Sequence, residues 1–329
     1  QGFWRRRLRY ALDYRKTVMG PDYACCRLIF GEADQFPGLT VDRFGDILVT
    51  EVLSLGMEVR KDLLYPLLVD LLREDGVTVR AIYERSDAPL RDKEGLPKVT
   101  GFYPLPGLAT DLDGHLLLEE NGIRYDVDYL HGQKTGFFLD QKYNRRAAAA
   151  LAPGRKVLDC FTHTGAFALN CAQAGAAQVT AVDISQEAVA LTQRNAALNG
   201  LEGKVEARQA DVFDLLTQLA QAGGHPYDYI ILDPPAFTKS GATVKNAFRG
   251  YKEINYKAMK LLPRGGYLAT CSCSHFMTPA LFCQMLREAA ADAAVSLRQI
   301  ADRRQAPDHP ILWGVPETEY LKFYLFQVI

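Results

Sequence analysis

VLDCFTHTGAF, residues Val157 to Phe167, is the stretch on which the fold reading turns. An apolar run ends on an acid, and Gly165 then opens a helical pattern. Around this stretch strand and helix alternate. Lys156 to Cys160, Gln178 to Asp183, Val205 to Ala210, Tyr229 to Leu232 and Tyr267 to Cys271 read as strands. Ala166 to Ala174, Glu187 to Asn199, Val212 to Ala222, Lys245 to Leu262 and Pro279 to Ala291 read as helices between or after them. Such alternation predicts an α/β fold, a mostly parallel sheet with helices on both faces. Two last strands, near Val295 to Ile300 and Tyr320 to Val328, are joined without a helix and should pair antiparallel at the edge.

Upstream the pattern changes. Residues 1–20 read as a basic helical linker, in which Arg5, Arg6, Arg7, Arg9, Arg15 and Lys16 meet only Asp13. An RNA-contacting arm and a solvated helix are both consistent with that charge. Residues 21–110 read as a small α+β domain: short apolar runs broken by turn residues, an amphipathic helix over Lys61 to Arg73, and a strand over Val79 to Glu84. Ser86 to Gly107 is polar and rich in Gly and Pro. Residues 111–130 read as a hairpin connector, because Asn121-Gly122 sits between two alternating runs. The remainder, 131–329, is the alternating domain.

Composition excludes several classes. A hydrophobic fraction of 48% over 329 residues supports a sizeable core. No apolar run reaches bilayer-spanning length and no secretory leader is visible, so no membrane partner is expected. Seven cysteines without framework spacing fit a reducing cytoplasm, and no second ligand cluster accompanies them, so no metal site is expected. The net charge of −1 gives no general nucleic-acid signature.

The loop after the first strand offers Asp159, Phe161, Thr162 and only one glycine, Gly165. A pyrophosphate needs several glycines for close backbone approach, so a dinucleotide fits poorly. An ammonium would suit Asp159. Asp183, followed by Ile184, ends the second strand where a ribose diol is commonly held. Asp211, Val212 and Phe213 follow the third strand, where an adenine could be bonded and covered. Any one of these acids alone reads as a helix cap. Together they point to an adenosine carrying a positive centre, S-adenosylmethionine.

Two further strand ends carry reactive groups. LDPPAF places Asp233 before Pro234 and Pro235, and CSCS offers Cys271 and Cys273. An acid and a thiol at the ends of neighbouring strands could grip a pyrimidine ring and attack it. Residue chemistry alone leaves the choice of cysteine open.

These stretches, with GEADQFPGLTVDRFGD from Gly31, HGQKTGFFLDQKYNRR from His131 and DHP at Asp308 to Pro310, resemble the class I S-adenosylmethionine-dependent methyltransferases. More closely they resemble the bacterial 23S rRNA cytosine-C5 methyltransferase family. The resemblance implies a Rossmann-like sheet, S-adenosylmethionine as cofactor, 23S rRNA as partner, and a homodimer as one assembly to consider. It implies Cys273 as the nucleophile adding to cytosine C6, Asp233 holding the base, and Asp233 with Pro234 also lying against the cofactor. It places Thr135, Phe137 and Gln141 against the cofactor, with Gln133 and Asp140 beside them, leaves Arg145 and Arg146 open as RNA contacts, and puts Asp308 and His309 at the rim. Lys239 reads equally as a phosphate contact or a surface lysine. Members usually begin with a PUA-type RNA-binding domain, whereas this chain opens on Gln1, so the expectation is either that this domain was cut off or that RNA affinity comes from elsewhere. Two other readings compete. DPPAF also resembles an amine-methylating motif that needs no cysteine, and the fold could serve an RNA-binding assembly factor with little turnover.

Overall fold

A computed structural model describes residues 1–238 and 240–329; Lys239, a candidate phosphate contact, lies outside the described residues. The chain divides into two compact units. The first comprises Gln1–Glu120, Asp126–Lys142 and Ala306–Thr318, and the second Asn121–Tyr125, Tyr143–Gln305 and Glu319–Ile329.

The first unit opens with helix α1 (Gly2–Met19), which buries Leu8, Ala11, Leu12, Arg15 and Met19. That spacing is one helical face. Four of its basic residues are paired with acids. Arg5 pairs with Glu74, Arg9 with Asp75 and Glu74, Lys16 with Asp75, and buried Arg15 with Asp34. Asp13 is the one acid within this segment and pairs with Arg9 and Lys16, while the further partners lie some twenty to seventy residues along the chain. A five-stranded sheet follows in the order β1 (Cys25–Phe30), β2 (Leu39–Phe44), β3 (Ile47–Val52), β4 (Ala81–Ser86), β5 (Val99–Phe102). Only β3 and β4 run parallel. Between them lie a short turn of helix, α2 (Leu55–Glu58), and the long α3 (Lys61–Glu74), which supply the crossover a parallel pair requires. The polar stretch after β4 holds a short helix, α4 (Leu90–Lys93), as well as β5. Arg91 is fully buried there, and carbonyls of Val52 and Pro97 and the Glu58 carboxylate accept its hydrogen bonds.

The hairpin forms from β6 (His115–Glu120) and β7 (Ile123–Asp128). Asn121 and Gly122 both have positive φ, 56° and 76°, as a two-residue hairpin turn matched to strand twist requires. Helix α5 (Lys142–Ala149) leads into the second unit.

That unit holds β8 (Lys156–Cys160), α6 (Ala166–Gln173), β9 (Gln178–Asp183), α7 (Gln186–Leu198), β10 (Val205–Gln209), α8 (Val212–Ala222), β11 (Tyr229–Leu232), α9 (Val244–Leu261), β12 (Tyr267–Ser272), α10 (Pro279–Ala293), β13 (Leu297–Arg303) and β14 (Lys322–Val328). The seven strands lie in the order β10-β9-β8-β11-β12-β14-β13. The first five are parallel; β14 runs antiparallel to both β12 and β13. This is the Rossmann-like class I methyltransferase sheet expected from the sequence. The chain leaves β8 toward β9 and β10, then returns to the other side of β8 at β11. Such a reversal opens a crevice at the carboxyl ends of the strands. Leu158, Cys160, Ile230, Leu232 and Leu268 point into one apolar cluster with α8, α9 and α10, while α6 and α7 pack on β8 to β10.

Candidate active site

At the end of β8, Asp159 is wholly buried. Its Oδ2 accepts from the Thr162 hydroxyl at 2.6 Å and the Ala168 amide at 3.0 Å. Its Oδ1 has no hydrogen-bond partner among the described residues. Burial pushes this carboxyl up to about 7; the Thr162 and Ala168 bonds oppose the shift, while Asp233 and Asp183 add to it. A buried half-satisfied carboxylate is costly unless a cation or donor arrives. The loop beyond it is tightly held. Phe161 and His163 adopt positive φ of 64° and 52°, the Thr192 hydroxyl donates to the His163 carbonyl, and the Asn195 amide donates to the Thr164 carbonyl. Gly165 is required twice over: its φ is +79°, and an added Cβ would meet Thr192 Cγ2 at 2.7 Å.

At the end of β9, Asp183 accepts from the His163 amide through Oδ2 and from the Ser185 amide through Oδ1, both at 3.0 Å. These bonds fix the carboxylate beside Ile184, whose side chain is 65% exposed and offers an apolar face to a planar ligand. Asp211 ends the third strand region and caps α8, accepting from the Phe213 and Asp214 amides at 2.8 and 3.2 Å. Val212 is buried. Phe213 packs on Phe237, which meets Phe161 and Tyr251 in turn, with Tyr251 at 4.5 Å between ring centroids.

The second pair of strand ends lies across the switch point. Leu232 pairs in register with Thr270, so β11 and β12 deliver Asp233 and Cys273 from the same edge of the sheet. Strand spacing and rise put the two backbones on the order of 8 Å apart. Asp233 and Cys273 are partly exposed, Pro234 is buried, and Cys271 is fully buried. The two loops are tied to each other. Ser274 Oγ donates to the Thr238 carbonyl at 2.9 Å, and Ser272 Oγ to the Tyr251 hydroxyl at 3.1 Å. Tyr251 also bonds the Phe237 backbone; burial chiefly raises its phenol, to about 12. The sequence reading missed Tyr251 and Lys322. Lys322 is buried at the start of β14, and its Nζ donates to the carbonyls of Ser274 at 2.5 Å and Tyr320 at 2.7 Å. Its one legible signal is a lysine opening the apolar strand KFYLFQV.

Other expected site residues belong to the first unit. Thr135 donates to Asp42 Oδ2 at 2.5 Å, and Asp42 is held by Arg27 through two bonds. Phe137 and Gln141 are buried in that unit. Asp308 accepts from the Arg27 amide and contacts His309 Nδ1 at 2.9 Å, and its carbonyl accepts a hydrogen bond from Arg15. Both residues are buried, so what the structure shows for them is a staple on the first unit. Arg145 is buried at the start of the second unit, whereas Arg146, partly exposed, lies over the Tyr143 ring.

A Rossmann-like sheet with three carboxylates at consecutive strand ends defines a methyltransferase site. The description "S-adenosylmethionine-dependent methyltransferase" matches residues 110–327, and the chain belongs to that family. It is 41% identical over 330 residues to the ribosomal RNA large subunit methyltransferase I of Escherichia coli (strain SMS-3-5 / SECEC), covering 99% of this chain and 81% of that protein. It is 44% identical over 299 residues to the protein of the same name from Shewanella amazonensis (strain ATCC BAA-1098 / SB2B), covering 90% and 72%. Its fold matches a Streptococcus mutans chain provisionally assigned as a SAM-dependent methyltransferase, with a TM-score of 0.84, 22% identity, and coverage of 99% and 81%. The cofactor is therefore S-adenosylmethionine, and the unsatisfied Asp159 Oδ1 fits its cationic amino-acid end. Among the described residues, no helix is long and apolar enough to cross a membrane.

Proposed function

We propose that this chain methylates C5 of a cytidine in large-subunit ribosomal RNA, with Cys273 as nucleophile and Asp233 holding the base. The observation that carries the reading is the tied pair of loops, which presents one acid and one reachable thiol from adjacent strands. The ribosomal substrate is taken from the named function of relatives that match over 90% or more of this chain. Asp159 with Thr162, Asp183 with Ile184, and Phe213 are assigned to the amino-acid, ribose and adenine parts of the cofactor. When bound, the cofactor supplies an electrophilic methyl group.

The chain's own residues answer the harder problem, which is that C5 of cytosine is a poor nucleophile. A base in structured RNA must first leave its stack. Asp233 then hydrogen-bonds the N3 edge and exocyclic amine. The Cys273 sulfur forms a bond to C6, which makes C5 enamine-like. Return to an aromatic ring requires loss of the C5 proton to a base and departure of the Cys273 sulfur. A thiolate suits both duties, being a strong nucleophile and a competent leaving group. Pro234, the Tyr251 bridge and the Ser274 bond hold acid and thiol in place, which favours orientation.

Full burial of Cys271 favours Cys273 as the attacking thiol. Amine methylation through DPPAF would want Phe237 free to stack on a base. Its ring is instead engaged with Tyr251, Phe213 and Phe161.

The test is nucleoside mass spectrometry on unmodified ribosomal RNA incubated with isotope-labelled S-adenosylmethionine. Labelled 5-methylcytidine is expected from the parent and none from Cys273→Ala. Label in another nucleoside that survives the substitution overturns the reading in favour of amine or ring-nitrogen chemistry.

A further inference from the structure

Among the described residues, Lys322 is the least exposed lysine in the second unit, and the reaction as described gives it no role. Residue Ser272, the last of β12, pairs in register with Lys322, the first of β14. The next residue along β12 is Cys273. From that position the Lys322 ammonium reaches past the strand end and donates to the Ser274 and Tyr320 carbonyls. Two of its three donors are thus placed on the loop that carries the thiol and on its own strand entry. Among the described residues no carboxylate lies within ion-pair range of it. Glu319, the nearest acid in sequence, is taken by Arg304 at 2.7 Å, and Arg304 also meets Asp302.

We propose that Lys322 is a positioning residue for Cys273: its buried ammonium holds the thiol-bearing loop and stabilises the thiolate. The proposal rests on the reading of Cys273 as nucleophile. A buried cation without an anion is expensive, so it persists where an anion forms during function. The thiolate is such an anion; its proton leaves to solvent and Lys322 keeps its own. Burial pulls the Lys322 ammonium down to about 8, while Cys273 works in the opposite direction, Arg304 lowers it and Glu319 raises it. Tyr251 faces Cys273 from α9, with Asp233 also near that phenol. Neither of these two groups supplies positive charge, and Lys322 is a cation that bears on this thiol from β14. A cation beside a cysteine lowers its acidity threshold and raises its thiolate fraction near neutral pH.

The experiment reads the thiol directly. The whole protein is alkylated with iodoacetamide, in which the S–C bond forms as iodide leaves, across about pH 6 to 10. Peptide mass spectrometry then gives the rate at each cysteine. Cys283, which is also partly exposed, is the internal reference. In the parent, the Cys273 midpoint is expected below that of Cys283; a midpoint above it overturns the proposal without any variant. In Lys322→Gln, which keeps donors but loses charge, and in Lys322→Met, the Cys273 midpoint is expected to rise by about one unit and the rate at neutral pH to fall about tenfold. Lys322→Arg should hold the parent midpoint. A purely structural role would leave the Lys322→Gln midpoint unmoved while cofactor affinity and the Cys283 profile stay as in the parent, and that result overturns the proposal. Methyl transfer retained by Cys273→Ala would remove the nucleophile, and with it any role for Lys322 in the reaction. An inactive Cys273→Ala beside an unmoved Lys322→Gln profile would remove Lys322 alone.

Discussion

In the first unit, buried Arg15 lies on Asp34 and Arg27 lies on buried Asp42. In the second, Asp159 and Lys322 are just as buried, and among the described residues neither has an opposite charge in ion-pair range. The same chain thus treats buried charge in two ways. Where the charges answer each other, they fasten segments distant in sequence: Arg15 joins α1 to Asp34, and Asp42 joins Arg27 to Thr135. Where they are left short, they stand at the carboxyl ends of a class I sheet, where a cationic cofactor and an anionic thiolate are expected. For these four groups, the answered charges lie in the first unit and the two left short lie at the strand ends of the second.

The largest effect should come from breaking an answered pair. Arg27→Ala leaves Asp42 buried without its guanidinium and should cost about 3–5 kcal/mol of stability, read as a lowered urea midpoint. Burial alone would raise the Asp42 carboxyl, but Arg27 outweighs burial and holds it below its usual value. Its contribution is therefore present above the unfolded carboxyl value and is lost as pH falls through the lower folded one. The parent should lose stability in acid through this window, and Arg27→Ala should lose less. A cost under about 1 kcal/mol would erase the distinction between the units.

Asp159→Asn should do the reverse. The folded carboxyl stands at about 7 against a usual 3.8. With the folded value raised, the favourable contribution is full below 3.8 and is lost as pH rises through 7. At pH 8 the neutral variant should therefore be more stable than the cofactor-free parent, on the order of 3 kcal/mol, and the two should converge in acid. The same substitution should weaken S-adenosylmethionine binding, and parent binding should tighten between about pH 6 and 8. Calorimetry at both pH values checks both statements; a destabilised variant at pH 8 would mean that Asp159 is already answered.

The smallest effect belongs to the exposed pair of Arg5 with Glu74, both about half exposed. Arg5→Ala should change stability by less than about 1 kcal/mol, and by less still in high salt. A larger loss would make α1 part of the buried-charge scaffold.

Much of the second unit was legible in the sequence. Strands β8, β9 and β11 fall where the apolar runs place them, because parallel strands buried on both faces read as short continuous apolar stretches. The helices announce themselves by spacing and by caps such as Ser185 on α7 and Asp211 on α8. What was not legible depends on partners far along the chain. The segment α4 and β5 looked like a polar loop, since each spans four residues and Arg91 is buried only through acceptors from three other segments. The return of Ala306–Thr318 to the first unit rests on Asp308 meeting Arg15 and Arg27, which no local pattern reveals. The strand-end acids could be located from sequence, but not their states. Asp183 and Asp211 are steadied by neighbouring amides, while Asp159 keeps one oxygen unsatisfied.

The most direct test of C5 chemistry is to trap its covalent step. Large-subunit ribosomal RNA transcribed with 5-fluorocytidine carries fluorine where a base must remove a proton, so the sulfur cannot leave after methyl transfer. With S-adenosylmethionine present, the parent and Cys271→Ala proteins should each form a protein–RNA adduct that survives denaturing electrophoresis, and Cys273→Ala should form none. An adduct that persists in Cys273→Ala, or methylation of the ordinary RNA with no adduct on the fluorinated one, would contradict the account.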